Sequence, residues 1–233
     1  MATITDNLQA VHRRIALAAA AANRATDSIK LLAVSKTFSA AAVLAAWQSG
    51  QRAFGENFVQ EGIAKITELS DLGVEWHFIG PVQSNKTRLI AEHFAWVHSI
   101  EREKIAQRLN DARPPQLPPL NVLIQVNVSG EASKSGVDPG TEGDLAAFIR
   151  RLPRLRLRGL MAIPEPTPDT ALQRERFALL HRLLQPLRAD DAGIDTLSMG
   201  MSDDLEAAIA EGSTLVRVGT AIFGKRQAVN GEL

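Results

Sequence analysis

The lysine that closes an apolar run is the residue here best placed for covalent chemistry. Leu31-Leu32-Ala33-Val34 leads into Ser35-Lys36-Thr37, and period-two alternation puts Leu32, Val34 and Lys36 on one side of a strand. Facing the interior of a barrel, that amine would be partly desolvated. Desolvation lowers a lysine pKa and raises the neutral fraction that forms a Schiff base with a carbonyl. A solvated lysine at a strand terminus is the plainer alternative.

Two small-residue turns bear on that choice. Ser198-Met199-Gly200-Met201-Ser202-Asp203-Asp204 and Gly219-Thr220-Ala221-Ile222-Phe223-Gly224 each follow an apolar run and open a helical pattern. Backbone N–H groups beside hydroxyls in such turns suit a phosphate dianion; helix capping by Ser202 and Thr220 is the competing use. Arg217, two residues before Gly219, alternates toward the same interior. A buried guanidinium needs a partner. An unprotonated ring nitrogen would serve, because Arg keeps its charge, and so would a barrel carboxylate such as Glu75.

These residues fall at the ends of apolar runs that alternate with helical patterns. The runs are Leu31–Val34, Arg52–Phe54, Glu75–Ile79, Trp96–His98, Val122–Val128, Leu157–Ala162, Thr196–Met199 and Leu215–Val218. Helical patterns cover Ser39–Ser49, Asn57–Leu69, Asn85–Glu92, Arg102–Ala112, Gly143–Leu152, Gln173–Arg188 and Asp203–Glu211. Eight strand–helix units predict a parallel sheet closed as a (β/α)8 TIM-type barrel, in the α/β class, whose functional residues gather at the C-terminal strand ends. No G-x-G-x-x-G follows the first run, which argues against an open dinucleotide fold. An extra helix, Thr5 to Arg24, precedes the alternation, capped by Thr5 or Asp6. The Pro-rich stretch 113–119 reads as a rigid surface loop, so 1–233 is expected to be a single domain. The polar loop 129–140 lies where a barrel places a mobile lid.

Composition narrows the function classes. Lys plus Arg and Asp plus Glu are 26 each in 233 residues, so no global field draws the chain to nucleic acid or an anionic membrane. Cys is absent, which removes disulfides, thiolate nucleophiles and Cys-bound metal and fits a reducing cytoplasm. The opening residues lack a signal-peptide pattern, and the Ala-rich stretch 15–22 is too short to span a bilayer.

Ala33-Val34-Ser35-Lys36, Phe54-Gly55-Glu56-Asn57, Trp76-His77-Phe78-Ile79-Gly80 with Gln83-Ser84-Asn85-Lys86, Leu197 to Asp204, and Val216 to Gly224 together resemble the YggS/PROSC family of pyridoxal 5′-phosphate (PLP) homeostasis proteins. The resemblance spans Ile29 to Arg226 in the family's order. It implies the fold of the alanine racemase N-terminal domain and PLP bound covalently as an aldimine to Lys36. Ser202, Gly219 and Thr220 would hold the phosphate and Arg217 would face the pyridine nitrogen. Asn57, His77, Met161, Ser198 and Met201 match positions near the cofactor. Lys134 matches a lysine suggested to interact with cofactor, although a solvated lysine is the better expectation for it.

A PLP racemase is the rival reading, and a phosphate-sugar aldolase using Lys36 a more distant one. A racemase needs a base on each face of the cofactor, commonly the lysine and a Tyr from a second domain. This chain has no Tyr and no Cys, and His77 is expected in the barrel wall. The expected protein is therefore a cytoplasmic, monomeric PLP carrier with no catalytic residues and no metal, whose transient partners are PLP-dependent apoenzymes.

Overall fold

The computed structural model describes residues 3–131 and 135–224. Eight parallel strands close in sequence order into a barrel. They are β1 (Lys30–Val34), β2 (Ala53–Glu56), β3 (Glu75–Phe78), β4 (Trp96–Ile100), β5 (Leu120–Gln125), β6 (Leu155–Met161), β7 (Thr196–Ser198) and β8 (Leu215–Val218). Closure comes from the pairing of β1 with β8, from Lys30↔Leu215 to Ala33↔Val218. The expected (β/α)8 barrel is therefore present, with each strand within a few residues of its apolar run.

The helices α2 (Ala40–Gln48), α3 (Val59–Glu68), α4 (Thr87–His93), α5 (Glu103–Ala112), α6 (Glu142–Arg150), α7 (Thr170–Asp190), α8 (Leu205–Ala210) and α9 (Thr220–Phe223) follow the strands in turn. The main core lies between strands and helices. Inside the barrel sit two small clusters, Leu32, Ala53 and Leu215 with Ile79, and Trp96, Leu123 and Met161. This split follows from strand alternation, since one face of each strand meets helices and the other meets the barrel interior.

The extra helix is α1 (Ile4–Ala21). Its cap is Thr3, not Thr5 or Asp6 as the sequence led us to expect. Thr3 Oγ1 accepts from the Asp6 N–H at 3.1 Å, and the Asp6 carboxylate accepts from the Thr3 N–H at 2.9 Å. That reciprocal box satisfies two orphan donors and so starts the helix earlier. Leu8, Val11, Ile15 and Ala19 form its buried stripe, packed against α8 and α9.

The Pro-rich stretch is a surface loop, as expected. Buried Arg113 holds it, donating to Pro118 O at 2.9 Å and to Ala91 O and Phe94 O at 2.6 and 2.8 Å. The loop after β5 is tied back to it through a Val126↔Val137 bridge and a Gln125 bond to Ser135 O at 3.1 Å. Lys134 lies outside the described residues.

Candidate functional site

A cavity of about 560 Å³ opens at the C-terminal end of the barrel. Its lining includes Lys36, Asn57, Met201, Ser202, Arg217, Gly219 and Thr220, seven of the ten residues singled out from the sequence. Val34, Ile79 and Ile163 also line it.

Lys36 stands two residues beyond β1, half-buried, and the backbone on both sides of it is clamped. Lys65 of α3, 5% exposed, donates to Ser35 O at 2.7 Å, to Glu56 Oε1 at 2.8 Å and to Glu61 Oε1 at 2.6 Å. Ser35 Oγ also donates to Glu56 Oε1, and the Thr37 N–H donates to Glu61 Oε1 at 2.5 Å. Thr37 has φ +69°, a left-handed conformation that is strained for a β-branched residue. Burial pushes the Glu56 carboxyl above its ordinary range, against the pull of Lys65. Its Oε2 and the Asn57 Oδ1 are buried without a partner in the protein itself.

The opposite wall is built from the two small-residue turns. Gly200 has φ +94°, and a Cβ there would lie 2.6 Å from the Ala208 methyl, so both conformation and space require glycine. A Cβ on Gly219 would crowd Val34 O at 3.1 Å. The capping alternative fails for both hydroxyls. The N-cap positions of α8 and α9 are Asp204 and Gly219, and neither is capped by a side chain. Ser202 and Thr220 instead line the cavity. Arg14 of α1 reaches the same turn, donating to Ser202 O at 3.0 Å while pairing with Glu206.

Arg217 is 3% exposed and does not meet Glu75, the carboxylate considered for it. Its Nη1 donates to Ser198 O and Oγ at 2.7 and 2.6 Å, and Nη2 to Ala162 O at 2.9 Å. Burial pulls its pKa down to about 10, opposed by Asp204, which leaves a cation at neutral pH.

His77, Met161 and Ser198 are fully buried and do not line the cavity. His77 bonds His98 and Glu75 and stacks on Trp96 with ring centroids 5.2 Å apart. Met161 packs on Trp96 and Leu123. In two of these strands the inward residue two positions on, Ile79 or Ile163, is the one that reaches the cavity. Alternation identifies the inward face but not the depth along it. Sequence reasoning missed Arg14, whose α1 lies outside the alternation, and the clamp residues Lys65 and Glu61. The i, i+4 spacing of Glu61 and Lys65 was the one local signal for that pair.

An amine, a fixed guanidinium and two hydroxyl-bearing turns thus share one cavity, an arrangement able to hold a phosphorylated aldehyde with an acceptor atom on its ring. Comparison with known proteins points the same way. Residues 7–227 match the alanine racemase N-terminal domain family. A pyridoxal phosphate homeostasis protein of Pseudomonas aeruginosa is 61% identical over 226 residues, covering 97% of each chain. Its counterpart in Escherichia coli K12 is 56% identical, covering 97% of this chain and 98% of that one. PipY of Synechococcus elongatus, solved with PLP bound, is 35% identical with a TM-score of 0.79, covering 95% of this chain and 100% of that one. This chain belongs to the YggS/PROSC family of pyridoxal phosphate homeostasis proteins, on the fold of the alanine racemase N-terminal domain.

Proposed function

We propose that this chain is a PLP carrier in intracellular PLP homeostasis, holding the cofactor as a Schiff base on Lys36. The observation that carries this reading is the convergence of Lys36, Arg217, Ser202 and Thr220 on one cavity. Each meets a different demand of PLP: an amine for the aldehyde, a donor for the ring nitrogen, and hydroxyls with turn amides for the phosphate. Gly219 leaves space where a Cβ would crowd Val34 O, and the unpartnered Asn57 Oδ1 offers an acceptor to a bound ligand. Met201 supplies apolar contact, while Ser198, His77 and Met161 support from below. The PLP bound to PipY, a relative of similar length, supports the same assignment.

When bound, PLP supplies an electron-withdrawing ring that weakens bonds at the α-carbon of an attached amino acid. The residues of this chain restrain that chemistry. Arg217 stays a cation, so it would donate a hydrogen bond to the ring nitrogen without surrendering a proton. The ring is then a weaker electron sink than one paired with a carboxylate. Racemisation also needs a second base, and among the described residues the cavity's ionisable lining is Arg14, Lys36, Asp203 and Arg217. Both ring nitrogens of His77 are already bonded below the cavity. The protein is therefore proposed to be no enzyme. It acts as a cytoplasmic monomer that hands PLP to apoenzymes and binds neither membrane nor nucleic acid. Balanced charge and the lack, among the described residues, of a helix long and apolar enough to cross a membrane support that part.

Borohydride reduction followed by peptide mapping tests the attachment. The pyridoxyl group is expected on Lys36, and Lys36→Ala should abolish the yellow absorbance. Full-strength colour in that variant would overturn the assignment. Incubation with L-alanine in deuterated water tests the carrier reading, with at most slow exchange and retained configuration expected. Turnover to D-alanine near the ~1–1000 s⁻¹ of ordinary enzymes would refute it, and Asp203 would be the first residue to substitute.

A further inference from the structure

A chain of polar side chains, buried from His77 to Arg217, crosses the barrel interior and ends on the guanidinium that lines the cavity. Lys30 at the start of β1 pairs with Glu75 at the start of β3. Glu75 Oε1 meets His77 Nε2 at 2.5 Å, and His77 Nδ1 meets His98 Nε2 of β4 at 2.8 Å. His98 Nδ1 meets Ser198 Oγ of β7 at 2.9 Å, and Ser198 Oγ accepts from Arg217 of β8 at 2.6 Å. Four hydrogen bonds therefore connect a carboxylate at the bottom of the barrel with the guanidinium that lines the cavity.

The two ends fix where every proton lies. Arg217 can only donate, so the Ser198 hydroxyl hydrogen must point elsewhere, and its other side-chain partner is His98 Nδ1. His98 Nδ1 is then bare, and its Nε2–H donates to a bare His77 Nδ1. His77 Nε2–H in turn donates to Glu75. Reasoning from the other end gives the same order, because an ionised Glu75 only accepts. A cationic His77 fails this accounting. Its Nδ1–H would force His98 to donate to Ser198, which would then face two donors and leave its own buried hydroxyl hydrogen without an acceptor. An orphaned polar group of that kind costs ~1–3 kcal/mol. The histidine pKa directions agree, since burial pushes both down, and the His77 hydrogen bond and Lys30 hold the Glu75 carboxyl below its ordinary range against the effect of its own burial.

We propose that Glu75, His77, His98 and Ser198 form a one-directional relay that fixes the orientation of Arg217 at the cavity. They are positioning residues. The relay holds Ser198 as an acceptor for Nη1, while the carbonyls of Ser198 and Ala162 take further guanidinium hydrogens. Arg217 is thereby left to present a remaining N–H to the cavity in one orientation. Glu75 supplies the relay's negative end without touching Arg217. This coupling to the ligand rests on the reading of the cavity as a PLP site; the relay itself does not.

Long-range ¹H–¹⁵N spectra of the ligand-free protein at neutral pH decide the relay. His77 and His98 should both appear as neutral Nε2–H tautomers with bare Nδ1. An Nδ1–H tautomer or an imidazolium at either position would overturn it. His98→Leu then tests the coupling: PLP affinity should fall roughly tenfold, the worth of about one hydrogen bond, with a shifted absorption maximum. Unchanged affinity and spectrum in a folded His98→Leu protein would overturn the coupling. Should that variant fail to fold, Glu75→Gln is measured instead. It keeps an acceptor for His77 but removes the charge, and should shift the bound-PLP absorption; an unmoved spectrum overturns the coupling. Borohydride trapping on wild-type Lys36 runs alongside. Loss of that adduct refutes the PLP reading, while the tautomer result still decides the relay.

Discussion

The two walls of the cavity are held in place by opposite means. On the Lys36 side, buried charges do the holding: Lys65 gathers Glu56, Glu61 and the carbonyl before Lys36, while Thr37 is forced into a left-handed conformation. On the turn side backbone does much of the holding, with Arg14 at Ser202 O. The Arg217 N–H donates to Gly200 O at 2.9 Å, and glycines at 200 and 219 admit close approach. The difference matches what each wall must do. An amine on a long, flexible side chain can be placed only by fixing its backbone from both sides. A phosphate with several equivalent oxygens needs instead a concave set of donors, which small residues in turns provide.

Breaking the charged wall should cost most. Lys65→Met leaves Glu56 buried without its cation, and removing one partner of a buried pair costs ~3–5 kcal/mol. Chemical denaturation should show that loss. A loss below 1 kcal/mol would mean that Glu56 is already protonated and the clamp carries little charge. On the other wall, Ser202→Ala removes one charge-assisted bond worth ~1.5–3 kcal/mol, so PLP should bind roughly ten- to a hundredfold more weakly. Pyridoxal, lacking the phosphate, should be much less affected. Equal losses for both ligands would place the phosphate elsewhere.

The walls also differ in how far the sequence revealed them. The turn wall was legible because its signal is local: small residues and hydroxyls directly after an apolar strand. Arg217 was legible through alternation from Gly219. His77 and Met161, named through the family resemblance, lie two residues before Ile79 and Ile163, the residues just past their strands that meet the cavity. Strand tilt in a closed barrel sets that depth, and tilt depends on the pairing of all eight strands. The charged wall was least legible. Lys65 reads as an ordinary exposed lysine on an amphipathic helix, and its bond to Glu56 exists only once α3 has packed over β2. Likewise, Glu75 and Arg217 are linked through three side chains from three different strands, a connection without any sequence spacing.

Acid should separate the two regions by sign. His77 and His98 have depressed pKa values in the folded state, so the unfolded chain binds more protons below the ordinary histidine value of ~6.5. Their contribution is complete above that pH and is lost as pH falls, at ~1.4 kcal/mol per pH unit for each proton. Glu75, held down to about 2, adds a loss of the same sign in stronger acid. Glu56 is raised by burial, so its contribution has the opposite sign: present in acid and lost as pH rises through its folded value. Between pH 7 and 5 the wild type should therefore lose stability faster than His98→Leu. Parallel curves would show that the histidines are not buried as neutral groups.

The smallest effect sharpens the comparison most, because it should separate folding from attachment. Thr37 at φ +69° bears a left-handed strain of ~1–2 kcal/mol, and Thr37→Gly relieves it. Glycine also gains freedom in the unfolded chain, at ~0.5–1 kcal/mol. The two nearly cancel, so the melting midpoint should barely move. What changes is the backbone next to Lys36: its N–H can still donate to Glu61, but glycine lets that residue leave the conformation more readily. Re-ordering one residue costs ~1 kcal/mol, so PLP attachment should weaken roughly fivefold. Pyridoxine 5′-phosphate has the phosphate and ring but no aldehyde, and its affinity should stay near wild type. Equal losses for both ligands would show that Thr37 shapes the cavity as a whole; a loss confined to PLP would show that the strained residue serves the amine.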